Sequence, residues 1–326
     1  MTITQTHVRE HEADLVVRER REVAEGVVAL TLAAPDSSPL PDWTPGAHVD
    51  LVLTDDLTRQ YSLCGSPSDA TSWRVAVLRE AAGQGGSVYV HDHLAPGSTV
   101  RVRGPRNHFA LAAAPRYIFI AGGIGITPML PMLAAAQAAG ADWHLYYGGR
   151  SRASMAFTDE LDALTGAADR VTLVPQDESG LLDLATILGT PAPDTLVYCC
   201  GPEALLAAVE DRCTAWPAGA LHLERFGAKP VVAAEGGDSA FEVVLQRSGI
   251  TVPVAADTSI FDAVRAAGVS VLGSCLKGVC GTCETGDMDG EVDHRDSVLS
   301  AEEQEENEYM MICVSRCRGE RLTLDL

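Results

Sequence analysis

The chain has 326 residues, enough for two or three domains, and its apolar (46%) and charged (21%) fractions exclude wholesale disorder. Its 24 Lys and Arg against 45 Asp and Glu give a net charge of −21, which argues against a nucleic-acid partner. No run approaches the ~18 apolar residues of a membrane span and the polar N-terminus is not a secretory signal, so a cytoplasmic protein without membrane attachment is expected.

From about Glu12 to Leu111 short β-rich runs follow one another at 15–17, 27–32, 48–53, 73–78 and 99–102, punctuated by Pro and Gly. That texture predicts an antiparallel β-barrel or sandwich over residues 10–112. Within it, Arg59-Gln60-Tyr61-Ser62-Leu63 is by itself only a polar–apolar alternation. Gly83-Gln84-Gly85-Gly86-Ser87 lies between a strand and a helix. It reads either as a plain loop or as a nest of backbone N–H groups for a phosphate.

From about Arg116 to Phe226 strands alternate with helical stretches. Strands are expected at 117–121, 143–147, 171–175, 196–199 and 220–223, and helices at 128–139, 159–165 and 203–213. This alternation predicts a parallel sheet with helices on both faces, an α/β domain over 113–226. The first strand runs into Gly122-Gly123-Ile-Gly125-Ile-Thr127-Pro128, a glycine turn that opens a helix. Such a turn sets backbone N–H groups against a pyrophosphate, or is structural only. The third glycine of G-x-G-x-x-G is replaced by Pro128, itself a helix-start signal. Tyr198-Cys199-Cys200-Gly201-Pro202 ends a later strand and opens another helix, at the same carboxyl edge where open α/β sheets bind ligands. Cys199 reads as a buried small hydrophobe.

Residues 227–237 carry Gly, Ala and Pro without a period and read as a linker. A hairpin around Ser248-Gly249 and a helix over 259–267 then lead into a cysteine-rich loop, all within a third domain at 238–326. Five of the nine cysteines fall between Cys275 and Cys317. Cys275, Cys280, Cys283 and Cys313 have the spacing C-x4-C-x2-C-x29-C, which is that of plant-type [2Fe–2S] ligands. Small residues between them let backbone N–H groups turn toward the sulfurs. A zinc site is the competing reading, but zinc loops favour two C-x2-C pairs and only one is present. Cys317 is expected to be a buried thiol outside the ligand set. Residues 231–326 hold 18 acidic and 7 basic residues, a surface charge that either solvates or steers a partner.

Taken in order, RQYSL (59–63), GGS (85–87), GPRNHF (104–109), GGIGITPM (122–129), CCGP (199–202), HLERFGA (222–228) and the cysteine loop resemble the phthalate dioxygenase reductase family. This family lies within the ferredoxin–NADP reductase superfamily, and the resemblance covers about residue 10 to 326. It implies an FMN-binding barrel, an NADH-binding α/β domain and an α+β plant-type ferredoxin (β-grasp) domain. It further implies that Arg59 and Tyr61 hold the flavin phosphate and ring, with Gln60 between them and Ser62 near flavin N5. Ala76, Val77 and Leu78 would line the isoalloxazine edge, and Gly85, Gly86 and Ser87 the FMN phosphate. Thr127 would sit where flavin and nicotinamide meet, Phe226 would stack on the flavin ring, and Cys200 would lie near the nicotinamide carbon. Family members often carry Arg where this chain has Gln84, so weaker FMN retention is expected.

Gly122, Gly123, Gly125, Gly201 and Pro202 are expected to form the nucleotide cradle. Asp177, just past a strand, would accept from an adenosine ribose 2′-OH and favour NADH, whereas Arg150 and Arg152 argue the other way. The implied route is hydride from NADH to FMN, then single electrons to the [2Fe–2S] cluster and on to a separate oxygenase. The expected acceptor is a Rieske non-haem iron enzyme for aromatic hydroxylation or demethylation. A cytochrome P450 partner, or a non-enzymatic iron–sulfur carrier with relict upstream domains, are the alternatives. No general acid or base is needed, so His48, His91, His93 and His108 read as structural.

Overall fold

In the computed structural model, which describes residues 11–165, 168–227 and 238–326, the first six strands form one antiparallel sheet. They are β1 (Glu12–Ala24), β2 (Val27–Ala33), β3 (His48–Thr54), β4 (Leu57–Ser62), β5 (Trp73–Leu78) and β6 (Thr99–Arg106), in the order β4-β3-β6-β1-β2-β5. A bridge between Leu63 and Val75 joins the two end strands, so the sheet closes on itself as a barrel. Closure removes the exposed edges an open sheet would present. Strand alternation points Val17, Leu30, Leu51, Val75 and Val77 inward, where all are buried. Asp50 is also fully buried, taking Gln60 Nε2 at 2.9 Å and the Arg106 guanidinium. Asp50 thereby ties β3 to β6 through an ion pair and to β4 through a hydrogen bond. The helix α1 (Gly86–His93) follows the glycine loop, and its His91 Nε2 lies 2.9 Å from the Val77 carbonyl oxygen.

The second sheet is wholly parallel, in the order β11-β10-β7-β8-β9. Its strands are β7 (Arg116–Gly122), β8 (Asp142–Gly149), β9 (Val171–Pro175), β10 (Thr195–Cys200) and β11 (Leu221–Glu224). Between them run α2 (Ile126–Ala138), α3 (Thr158–Thr165), α4 (Gln176–Ser179), α5 (Leu184–Leu188) and α6 (Glu203–Arg212). The chain order reverses between β7 and β10, which makes their carboxyl ends the switch point where ligands bind. The helix α2 begins at Ile126 rather than Pro128. Pro128 still lies in the first turn, where a missing N–H costs nothing. The short α4 and α5 were not expected from the sequence.

Barrel and parallel sheet share one apolar core. Val27, Ala29, Cys64 and Ala76 of the barrel side cluster with Phe119, Met129, Phe157 and Tyr198. Arg74 crosses from β5 to hold Glu160 of α3 through both carboxylate oxygens, at 2.9 and 2.8 Å, with its guanidinium over the Phe157 ring. The chain accordingly divides into two compact units, residues 1–224 and 225–326, and the first contains both sheets.

The second unit is a mixed sheet in the order β13-β12-β18-β14-β16, built from β12 (Phe241–Leu245), β13 (Ile250–Val254), β14 (Glu284–Asp289), β16 (Tyr309–Met311) and β18 (Arg321–Leu324). β12 and β18 are parallel and the other pairs antiparallel. α7 (Ile260–Ala266) buries Ile260, Phe261 and Val264 in this unit's core. β15 (Val292–Asp293) and β17 (Arg316–Cys317) form a separate ladder, and α8 (Ala301–Glu306) opens on a Ser300–Glu303 capping box. Of the expected linker 227–237, residues 228–237 lie outside the described residues. Phe226, expected at the end of the nucleotide domain, belongs with the second unit. No helix among the described residues is long and apolar enough to cross a membrane.

Candidate functional site

Four cysteines of the second unit converge, three from one loop and Cys313 from farther along the chain. Cys280, Cys283 and Cys313 are buried and Cys275 is partly exposed. The thiols fall into two pairs. Cys275 and Cys280 act most strongly on one another, and so do Cys283 and Cys313. The contact from Cys280 holds Cys275 down at about 6, while Cys280 is pushed up. Two pairs suit two irons with two protein ligands each, the arrangement a [2Fe–2S] group requires.

Backbone conformation completes the fit. Leu276, Gly278 and Gly281 have φ of 53°, 66° and 70°, and the Lys277 N–H donates to Cys275 Sγ at 3.3 Å. Backbone N–H groups of Val279 and Gly278 act on Cys275 and Cys313. Any Cβ at Gly278 would stand 2.5 Å from Val314 and 3.0 Å from the Asp296 backbone. Cys317, on β17, stands apart as a buried thiol that accepts from the Gly319 N–H at 3.2 Å.

In the first unit the expected phosphate-binding residues are brought together. Arg59 leaves β4 and lies across the glycine loop, donating from Nη2 to the Gln84 carbonyl oxygen at 2.9 Å and approaching Gln84 Oε1 at 3.4 Å. Gly86 permits this, since a Cβ there would meet Arg59 Cγ at 2.4 Å. Gly85 caps α1 with φ of 80°, and Ser87 Oγ accepts from the Glu80 N–H at 3.0 Å. A guanidinium beside backbone N–H groups at a helix start fits a flavin phosphate. Tyr61 shares the Arg59 face of β4 and its phenol is pushed up by burial. Gln60 turns its amide to Asp50, and Val77 turns into the barrel. Ala76 and Leu78 instead face the core shared with the parallel sheet. Phe226 is 47% exposed.

At the switch point the glycine turn and the C-G-P turn pack backbone to backbone. A Cβ on Gly125 would meet the Cys200 carbonyl oxygen at 2.1 Å, and one on Gly122 would meet Pro202 and Leu205 at 2.7 Å. Gly201 approaches the Gly122 Cα within 3.0 Å of where its Cβ would stand. These glycines are therefore fixed by the contact between the two turns. Gly123, with φ of 55° and nothing within 4 Å of a Cβ, is the member that leaves open backbone at the start of the helical segment. Thr127 is buried and donates to the Ile124 carbonyl oxygen at 3.0 Å. Asp177 lies exposed in α4, at the carboxyl edge beyond β9.

The residue sequence reasoning missed is Glu224. It ends β11 and receives Ser62 Oγ from the barrel at 3.3 Å and Cys200 Sγ from β10 at 3.8 Å, both on Oε2. Burial raises its carboxyl to about 8, and burial above all keeps Cys200 a thiol. The signal was available as an acid closing the apolar strand Leu221-His-Leu-Glu224. Ser62 and Cys200 thus meet at a seam that is uncharged near neutral pH. Such a seam suits hydride transfer, in which no side chain must gain or lose a proton.

Comparisons with known proteins find relatives along nearly the whole chain. Residues 119–211 match the family "Oxidoreductase NAD-binding domain", and residues 243–318 match "2Fe-2S iron-sulfur cluster binding domain". Phenoxybenzoate dioxygenase subunit beta of Ectopseudomonas oleovorans is 44% identical over 305 residues, 93% of this chain and 94% of the relative. The solved structure of phthalate dioxygenase reductase aligns with a TM-score of 0.70 at 35% identity, over 97% of this chain and 98% of that one. An intact type IV self-sufficient cytochrome P450 monooxygenase aligns with a TM-score of 0.91 at 44% identity over 97% of this chain. The chain spans 41% of that P450's length.

Proposed function

Because this chain belongs to the phthalate dioxygenase reductase-like family of NAD(P)H-dependent flavin and iron–sulfur reductases of oxygenase systems, we propose that it draws electrons from NADH, passes them through FMN and a [2Fe–2S] cluster, and delivers them singly to a partner Rieske non-haem iron oxygenase. The observation that carries this reading is the convergence of Ser62 and Cys200 on Glu224, in a chain that also pairs Cys275 with Cys280 and Cys283 with Cys313. Bound flavin supplies the conversion of a two-electron hydride donor into a one-electron source.

The chain's own residues bind and orient. Arg59, Gly85, Gly86 and Ser87 hold the flavin phosphate, while Tyr61, Ala76 and Leu78 border the ring. Ser62, Thr127 and Cys200 set the face on which the nicotinamide lies. Gly123 receives the pyrophosphate, Pro202 opens α6 beside it, and Asp177 takes the ribose. The shared core of barrel and parallel sheet excludes water from this seam. The four cysteines hold the cluster.

The match to most of a dioxygenase subunit supports the Rieske partner. A second reading, delivery to a cytochrome P450, is favoured by the likeness to a chain in which such a haem enzyme is present. Anaerobic titration with NADH and, in parallel, NADPH tests the internal route. Flavin bleaching by NADH, followed by a rhombic low-temperature EPR signal of a reduced [2Fe–2S] centre, is expected. A cluster signal obtained with dithionite but with neither nucleotide would overturn the reading and leave a simple iron–sulfur carrier. Turnover with purified Rieske and P450 acceptors then separates the partners.

A further inference from the structure

At the carboxyl edge of the parallel sheet, β8 and β9 end side by side, with Gly149 opposite Pro175. Arg152 lies in the loop after β8 and Glu178 lies in α4, immediately after β9. Their side chains meet, Arg152 Nη2 to Glu178 Oε2, at 3.0 Å. The same two loops are tied by backbone, because the Asp177 N–H donates to the Arg150 carbonyl oxygen at 3.2 Å. The negative field of Asp177 also reaches the Arg152 guanidinium. Two cations and two anions therefore stand together at the place assigned to the adenosine ribose, and one cation is already engaged.

We propose that Glu178 is a specificity-determining positioning residue: by holding Arg152 it denies an adenosine 2′-phosphate its guanidinium partner, and so tilts the protein toward NADH. The inference rests on the reductase reading, which it deepens by naming what selects the nucleotide. A 2′-phosphate is a doubly charged acceptor that needs a guanidinium to bind well, ideally through two parallel hydrogen bonds. A free ribose 2′-OH needs only an acceptor, which Asp177 offers. For NADPH to use Arg152, the Glu178 carboxylate must give way or stay beside the phosphate, where like charges repel. Both partners of the pair are more than half exposed, with side chains 57% and 51% accessible. An ion pair in that setting is weak, so it biases the choice and does not lock it.

Glu178→Gln keeps the shape and removes the charge. In the loaded protein, the ratio of kcat/KM for NADPH to that for NADH is expected to rise about fivefold, the scale on which an exposed pair acts. Calorimetric binding of 2′,5′-ADP relative to 5′-AMP should shift in the same proportion, and it reads the nucleotide edge without electron transfer. Adding Arg152→Ala should abolish both gains, whereas adding Arg150→Ala should leave them. An unchanged ratio in Glu178→Gln, or a gain that survives loss of Arg152, would overturn the proposal. Failure of the parent protein to transfer electrons from either nucleotide would overturn the reductase reading instead. The calorimetric ratio would still decide the role of Glu178.

Discussion

Glu224 is the residue whose chemistry departs most from its ordinary behaviour, and the departure fixes a sign. Its folded carboxyl keeps a proton up to about pH 8, whereas the reference value in an unfolded chain is 4.5. Between those values the folded state binds the extra proton, so rising pH favours unfolding. The stability this group contributes is present in full below about pH 4.5 and is lost progressively up to about pH 8. Its slope is at most about 1.4 kcal/mol per pH unit. Glu224→Gln, which can still accept from Ser62 and Cys200, should flatten that part of the curve. Urea unfolding of the parent and the variant at pH 5, 6, 7 and 8 measures the difference. Parallel curves would mean that the carboxyl is ionised throughout and that the seam carries a charge. Neither partner of Glu224 was legible as such in the sequence, because Ser62 and Glu224 are 162 positions apart and only folding brings them together.

The contact between the glycine turn before α2 and the C-G-P turn before α6 shows what a motif means once its neighbours are known. In sequence, Gly122, Gly123 and Gly125 are equivalent parts of a phosphate signature. In space Gly125 faces the Cys200 carbonyl oxygen and Gly123 faces nothing. Gly125→Ala must push the two turns apart, an overpacking cost of about 1–3 kcal/mol, and should raise the KM for NADH by disturbing both turns. Gly123→Ala meets no atoms but must hold φ at 55°, which costs about 1–2 kcal/mol and leaves the turns in contact. Thermal unfolding with NADH kinetics on both variants checks this. Unaltered stability in Gly125→Ala would contradict the packing role, whereas Gly123→Ala can raise the KM by itself because its backbone is the part left open to the pyrophosphate. Elements with a clear period, such as β3, β5 and α2, were legible in sequence to within two or three residues. α4, α5 and α8 were not, being four to six residues long. α8, with the sequence AEEQEE, has no apolar face to betray it, although the Ser300 and Glu303 of its capping box stand in plain view.

Three sheets were legible in the sequence as three textures, yet the first two form a single unit and the third stands by itself. The reason lies in side chains such as Arg74, Phe157 and Glu160, which no pattern along the chain links but which join barrel and parallel sheet in space. The residues proposed to hold nucleotide and flavin, Phe226 apart, thus share one core, as a short hydride path demands. The charge of the molecule follows the same division. More than half of the net −21 falls in residues 231–326, with the acidic α8 among them. A surface of that sign attracts a basic electron acceptor from a distance set by the ionic strength. The range falls from ~30 Å at 0.01 M salt to ~8 Å at 0.15 M. Reduction of a basic one-electron acceptor such as cytochrome c should therefore slow by about tenfold over that interval. On the proposed route, flavin reduction by NADH belongs to the first unit and should change far less. Stopped-flow measurements of both steps in the same buffers separate them. If both fall together, salt acts on nucleotide binding rather than docking, and if acceptor reduction is flat, the acidic surface of the second unit does no more than keep the protein in solution.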